Sequence, residues 1–318
     1  MRDQLIPAII AFVLVSALSP LFIALLRKLK LLQPIRKELP SNHQIKKGTP
    51  LMFGIILFIG IIVSLFFSPT PLMFFLVITY ILFSFIGFLD DFWKASRQDP
   101  GGVSSKTKLI FQFLFTGTLL FYLMNALGID TTIGIYQNFS IDLPMYLYLI
   151  VITLFVVGSA NAINFTDGLD GLLGVVAIPT YFFFFMISDS SEVKLFCLVM
   201  IGCLLGFLIY NIFPARAFMG DTGSLAIGGS LSFLAVIEKV EILIPLLFFI
   251  YFAEQLSVIL QVASFKSRGK RIFRMTPIHY HYGLKYGWGE TTIVTAFGFV
   301  SWICTFICFA YWKFVLYP

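Results

Sequence analysis

Apolar stretches of roughly 17–25 residues recur along the whole chain, and each is long enough to cross about 30 Å of hydrocarbon as a helix. No single soluble core could hide them. Hydrophobic residues are 59% of the 318 and charged residues 12%, against about half and a quarter in a soluble domain. The sequence therefore predicts an all-α integral membrane protein, folded as a single polytopic membrane domain over 1–318. Ten transmembrane helices are expected, near 5–26, 51–68, 72–89, 108–127, 144–163, 171–188, 193–211, 220–237, 242–264 and 292–314. The first span lacks the basic start and small-residue cleavage site of a signal peptide and is expected to stay as a helix.

Charge placement orients the bundle. With ten spans, the loops after the odd-numbered ones share one side and carry 18 of the 22 Lys and Arg residues. The positive-inside rule then puts both termini outside and the basic loops in the cytoplasm. Cys197, Cys203, Cys304 and Cys308 all fall inside spans without metal-ligand spacing, and buried small hydrophobes account for them. The outer connections, including the polar stretch 128–144, carry no pattern that points to chemistry.

Four inner segments do. The third span ends in Gly87-Phe-Leu-Asp90-Asp91, with Lys94 a turn later and Lys106 and Lys108 beyond. Two adjacent carboxylates at a membrane boundary repel each other unless a cation or proton lies between them, although a solvated helix end would also tolerate them. Asn161, Asn164, Asp167 and Asp170 are spaced by three, so a helix would gather them on one face, with Gly168 and Gly171 admitting a ligand to the backbone. In Asn211-Ile-Phe-Pro-Ala-Arg-Ala-Phe218-Met-Gly220-Asp221-Thr-Gly-Ser, Asp221 is placed to cap the next helix while offering a hard oxygen to Mg²⁺. Phe218 there suits either base stacking or anchoring at the membrane interface. The fourth segment sets His279 and His281 among Lys270, Arg271 and Arg274, as phosphate, proton or metal partners.

These segments reach one side under a topology derived from Lys and Arg alone. Asp90, Asp91, Asp167, Asp170 and Asp221 offer metal oxygens, and Lys46, Lys47, Lys94, Lys106, Arg271 and Arg274 offer phosphate contacts. The arrangement suits Mg²⁺-dependent phosphoryl transfer, where catalysis is mostly positioning and charge neutralisation. A secondary transporter is the alternative of another class. It would hold its carboxylates near mid-membrane, and Glu254 and Gln255 are the residues that fit it, with helix packing as their simpler job.

The same segments resemble the polyprenyl-phosphate N-acetylhexosamine-1-phosphate transferases, and within them the muramoyl-pentapeptide branch. The likeness runs through KKGTPLMFG (46–54), GFLDDFWK (87–94), SSKTKL (104–109), NAINFTDGLDGLLG (161–174), FMGDTGSLAIGG (218–229) and MTPIHYHY (275–282), then GWGET. It implies ten helices, a cytoplasmic active-site cleft in the bacterial plasma membrane, and Mg²⁺ as cofactor. The implied partners are UDP-MurNAc-pentapeptide, undecaprenyl phosphate and the lipid bilayer, with no nucleic acid and a homodimer left open. The implied reaction makes lipid I and UMP, the first membrane step of peptidoglycan synthesis. A GlcNAc-1-phosphate transferase is the neighbouring alternative.

Residue by residue, the resemblance makes Asp221 the Mg²⁺ ligand with Asp90 and Asp91 beside it, Asp91 as a second ligand and either of the pair as the base for the lipid phosphate, and makes Asp90, Asp91, Asp221 and His279 catalytic. It assigns nucleoside contacts to Asn164, Asp167, Gly168, Leu169, Asp170, Phe218 and Gly220, with Asn161 in the same segment and Asn211 nearby. Lys46, Lys94, Lys106, His279 and His281 match polar residues around the diphosphate and sugar. Three positions depart from the pattern: Leu51 replaces a hydroxyl residue, Tyr280 the middle histidine of three, and Gly283 an acidic residue. Direct attack by the lipid phosphate and a two-step route through an aspartyl-phosphate on Asp90 or Asp91 both remain open.

Overall fold

A computed structural model describes residues 2–34, 48–136 and 139–316; Lys46 and Lys47 lie outside the described residues. Helix α1 (Arg2–Lys28) comes first. A 3-10 turn (Phe53–Leu57) then runs into α2 (Phe58–Phe67), followed by α3 (Pro71–Arg97) and α4 (Ser105–Ala126). A hairpin of β1 (Thr132–Tyr136) and β2 (Phe139–Asp142) precedes α5 (Met145–Thr166), α6 (Leu172–Ile187), α7 (Ser191–Asn211) and α8 (Gly220–Ile237). The chain finishes with the short α9 (Ile244–Leu247), α10 (Phe249–Arg268), α11 (Ile278–Tyr286) and α12 (Glu290–Tyr311). It is an all-α multi-pass membrane protein.

All ten expected spans are helical along most of their length, but they are not alike. Among the described residues seven helices are long and apolar enough to cross a membrane singly. The expected span 242–264 is broken instead: the helical segment Glu241–Leu247 meets Phe249–Arg268 at 73°. Two expected spans form shorter apolar helices, Phe53–Phe67 and Leu172–Ile187. The polar stretch 128–144 folds as the antiparallel hairpin, pairing Thr132 with Asp142 and Ile133 with Ile141. Starts are set by local caps: Thr70, Ser104 and Ser190 each accept a bond from the backbone N–H three residues on.

Helix α8 is the hub. Its 18-residue apolar window is 89% buried, against α3, α5, α6 and the 3-10 turn. Small residues make that enclosure feasible, since helices in lipid associate through close packing rather than through the hydrophobic effect. A Cβ on Gly228 would come 2.8 Å from Ala160 Cα of α5, and one on Gly229 2.5 Å from Phe83 Cγ of α3. Facing them, a Cβ on Gly87 of α3 would collide with the backbone of Asp221 and Thr222. The outer helices turn apolar side chains such as Leu21, Ile62, Phe66 and Ile110 outward, as lipid-facing surfaces require.

Candidate active site

The tight crossing of α3 and α8 brings the carboxylates together. Asp90 and Asp91 sit in the last two turns of α3, Asp221 in the first turn of α8, and one oxygen of each falls within 4.8 Å of the others. Asp90 and Asp91 are fully buried, while the Asp221 side chain keeps 16% of its surface open. The adjacent pair has divided roles. Asp91 Oδ1 accepts from Asp221 N (3.1 Å), and its Oδ2 accepts from Thr222 N (2.9 Å) and Thr222 Oγ1 (2.7 Å). Asp91 thus caps α8 from another helix, satisfying donors that a helix start leaves open. The expectation that Asp221 caps its own helix is not met, because its side chain points to other partners.

Those partners are mostly cations. Lys94 forms an ion pair with Asp90 Oδ2 and lies 3.6 Å from Asp221 Oδ2. Lys108, from the first turn of α4, lies 3.0 Å from Asp221 Oδ2 and 3.4 Å from Asp90 Oδ1. Val103 N donates to Asp90 Oδ1 at 2.8 Å, fixing the loop before α4. On its far side Asp221 Oδ1 accepts from Asn164 Nδ2 (3.1 Å), which also donates to Ser224 Oγ (2.7 Å). Two ammonium groups and an amide thus hold Asp90 and Asp221 at one mouth. The three carboxylates form a hard-oxygen set that can hold a metal ion.

Sequence selected Lys106 and not Lys108 for this position. Residues two apart on a helix point in nearly opposite directions, so only one can face the carboxylates. Lys106 is exposed. The helical face of Asn161, Asn164, Asp167 and Asp170 also divides, because α5 ends at Thr166. Asn161 donates to Gln112 Oε1 (2.6 Å), clamping α4 to α5, while Asn164 donates to Asp221 of the acidic cluster. Asp167 follows the helix end, where burial, then the charges of Asp221 and Asp91, push its pKa up to about 8; the Gly220 backbone N–H opposes them.

Beyond it, Asp170 Oδ2 accepts from Ala215 N (2.9 Å). Asn211 Oδ1 accepts from Gly171 N (3.1 Å) while its amide donates to Ala217 O (2.9 Å). Asp170 and Asn211 therefore tie the loop after α5 to the one before α8. Leu169 is buried. Phe218, half-buried, donates its N–H to Pro50 O (2.8 Å) and accepts at its carbonyl from Phe53 N (2.9 Å), which sets the approach to Gly220. Gly220 adopts φ +74°, and a Cβ there would strike the Asp91 carboxylate.

A second polar centre flanks the first. His279 is fully buried; its Nδ1–H donates to Glu254 Oε2 at 3.0 Å, and its backbone N–H points to the same oxygen at 3.4 Å. Glu254, equally buried on α10, fits either a transporter's mid-membrane carboxylate or simple helix packing when read from the sequence. No pattern marked it as the partner of a histidine 25 positions later. Beyond the ring lies Gly168, where a Cβ would come 2.5 Å from His279 Nε2, so the missing side chain makes room for the imidazole. Tyr280, at the second departure, places its hydroxyl 3.4 Å from Gly168 O. Burial pushes that phenol up to about 12, so at neutral pH it is a proton-bearing donor. His281 faces away from Glu254: its Nδ1 accepts from Arg274 N at 3.0 Å and its ring stands edge-on to Phe273. The loop carrying Asp167 and Gly168 therefore joins an acidic centre to a histidine centre.

Known proteins resemble the chain along nearly its full length. The profile of glycosyl transferase family 4 matches residues 73–239. A phospho-N-acetylmuramoyl-pentapeptide-transferase of Halalkalibacterium halodurans is 42% identical, over 93% of this chain and 93% of its own length. The protein of that name from Clostridium beijerinckii is also 42% identical, over 96% of this chain and 95% of itself. The Clostridium perfringens (strain SM101) protein is 41% identical over 95% and 94%. With the acidic cluster, the two lysines and the histidine segment all inside these alignable lengths, the chain belongs to the phospho-N-acetylmuramoyl-pentapeptide-transferase family, within glycosyl transferase family 4.

Proposed function

We propose that this protein transfers phospho-N-acetylmuramoyl-pentapeptide from its UDP carrier to undecaprenyl phosphate, giving lipid I and UMP, with its active site on the cytoplasmic face. The observation that carries the reading is the mouth where Lys94 and Lys108 meet Asp90 and Asp221 at the ends of lipid-embedded helices. A water-borne diphosphate and a lipid-borne phosphate would both have access to such a place. The relatives' name supplies the donor class, and the excess of basic residues in alternate loops supports the orientation.

The ion we assign is Mg²⁺, held by Asp221 and Asp90. The carboxylates of Asp221 and Asp90 offer hard oxygens suited to a divalent cation, whereas Asp91, the second ligand expected from the resemblance, has both oxygens committed to α8. When bound, Mg²⁺ supplies positive charge to diphosphate oxygens as negative charge grows on the departing UMP. The side chains do the rest. Lys94 and Lys108 have ammonium groups able to turn from carboxylate to phosphate, Asn164 holds Asp221 in place, and the loop of Asp167 to Asp170 borders the nucleoside end. His279, packed between Glu254 and Gly168, supports that loop from behind.

The test supplies UDP-MurNAc-pentapeptide and UDP-GlcNAc separately to purified protein with undecaprenyl phosphate and Mg²⁺, and measures UMP and lipid product. Product from the muramoyl donor alone is expected. Product from UDP-GlcNAc alone would replace the reading with the GlcNAc-phosphate alternative, and substrate uptake into vesicles without UMP would replace it with transport.

A further inference from the structure

A cavity of about 590 Å³ opens beside the C-terminal end of α10, between that helix, the segment 271–276 and α11. Lys266, Arg271 and Arg274 line it on the polar side; Val262, Phe265 and Met275 line it on the apolar side. None of the three cations has a carboxylate within 4.0 Å among the described residues. The wall is built rather than loose. Gln261 Oε1 accepts from Ile272 N and Phe273 N, both at 2.9 Å, and Gln261 Nε2 donates to Phe273 O at 3.0 Å. One half-buried amide therefore holds the segment that presents both arginines.

The surroundings identify the ligand class. Leu256, Ile259, Leu260, Val262 and Phe265 of α10 are exposed, forming an apolar stripe that leads directly to Lys266. A stripe of lipid-facing residues that ends in three cations without a carboxylate partner among the described residues, over a cavity, is complementary to an amphiphile with an anionic head. We propose that this cavity binds the phosphate headgroup of an anionic membrane phospholipid, with its first acyl carbons on Val262, Phe265 and Met275. The guanidinium groups of Arg271 and Arg274 meet phosphate oxygens in pairs of N–H donors, and the apolar wall excludes a freely soluble phosphate as the preferred occupant. A bound lipid would also brace α11, because Arg274 N donates to His281 Nδ1 at 3.0 Å. This site is separate from the acidic cluster, and the inference stands whether or not the transfer reaction is as proposed.

Full-length protein is reconstituted in nanodiscs of phosphatidylcholine with limiting phosphatidylglycerol, and retained lipid is counted by native mass spectrometry. Wild type is expected to retain one phosphatidylglycerol per chain with a preference on the order of tenfold over phosphatidylcholine. The triple variant Lys266→Gln/Arg271→Gln/Arg274→Gln is expected to lose that preference. All three side chains are exposed, so in phosphatidylcholine alone, without the bound anionic lipid, the variant is expected to melt with the wild type. Equal retention by variant and wild type, or no preference in wild type, overturns the proposal. Displacement of the retained lipid by millimolar inorganic phosphate overturns it in favour of a soluble anion, and displacement by equimolar undecaprenyl phosphate in favour of the acceptor.

Discussion

Asp91→Asn separates anchoring from chemistry. In the wild type three donors converge on the Asp91 carboxylate, at 3.1, 2.9 and 2.7 Å. An asparagine keeps one acceptor oxygen and turns an NH₂ toward a second set of donors. The Thr222 hydroxyl can rotate to accept from that NH₂, but a backbone N–H cannot. At least one charge-assisted bond is then lost, at roughly 1.5–3 kcal/mol, and each surviving bond weakens by about 1 kcal/mol on losing its charge. The total of roughly 3–5 kcal/mol corresponds to a drop of about 5–10 °C in melting temperature for a chain of this size. Asp90→Asn keeps an oxygen for Val103 N, leaves the start of α8 capped and leaves both lysines beside Asp221, so its melting temperature should fall clearly less than that of Asp91→Asn. Both variants are expected to lose transfer activity, but Asp91→Asn should lose more stability, as read by thermal unfolding in nanodiscs beside UMP release. An inactive Asp91→Asn that melts with the wild type would refute the anchoring role and return Asp91 to the chemistry.

Three other perturbations follow from the geometry. Lys108→Ala removes a cation from both Asp90 and Asp221 and should cut the rate of UMP release by at least about tenfold, whereas Lys106→Ala, at an exposed site, should leave it within about twofold; the reverse order would mean that α4 presents its other face. Glu254→Ala strands the His279 ring and backbone N–H in the interior at about 1–3 kcal/mol, while Glu254→Gln keeps an oxygen for Nδ1–H and should melt near wild type with a reduced kcat and little change in KM; equal melting of the two variants would show that the bond carries nothing. Burial and the charges of Lys285 and Arg274 lower the pKa of His281, so the folded state binds fewer protons there than the unfolded one, and the support of segment 271–276 is present above the ordinary histidine value and lost as pH falls below it. Hydrogen exchange at Arg274 N, corrected for intrinsic rate, should therefore quicken between pH 7 and 5, and a His281 titration at or above the ordinary value by NMR would disprove it.

Apolar length located nearly every helix, because a spanning helix must satisfy its own backbone and so announces itself in twenty consecutive residues. The break at Phe248 was hidden for the same reason: Leu-Leu-Phe-Phe stays equally apolar on both sides of a 73° bend. Within the site, charge identity was legible and direction was not. Adjacent Asp90 and Asp91 read alike in one dimension, yet a rotation of about 100° between neighbours on a helix aims one at the lysines and the other at the start of α8. Lys106 and Lys108 exchanged places by the same rule. Glu254 stayed hidden because its partner is supplied by another element, and a lone acid inside an apolar run reads equally well as packing.

The fit of Gly87 against the Asp221 backbone has a consequence for any exhaustive substitution map of this protein. Distances among the three carboxylates are gauged by a hydrogen atom on a neighbouring helix. Alanine at 87, the mildest change available, would pry α3 from α8 and spoil the cluster with every reactive group intact. A screen scored on activity alone would rank Gly87 and Gly220 beside Asp221 and tempt a reader to seek chemistry in residues that have no side chain. Melting curves would sort them: the glycine variants fail as structures, Asp221→Asn as a reagent.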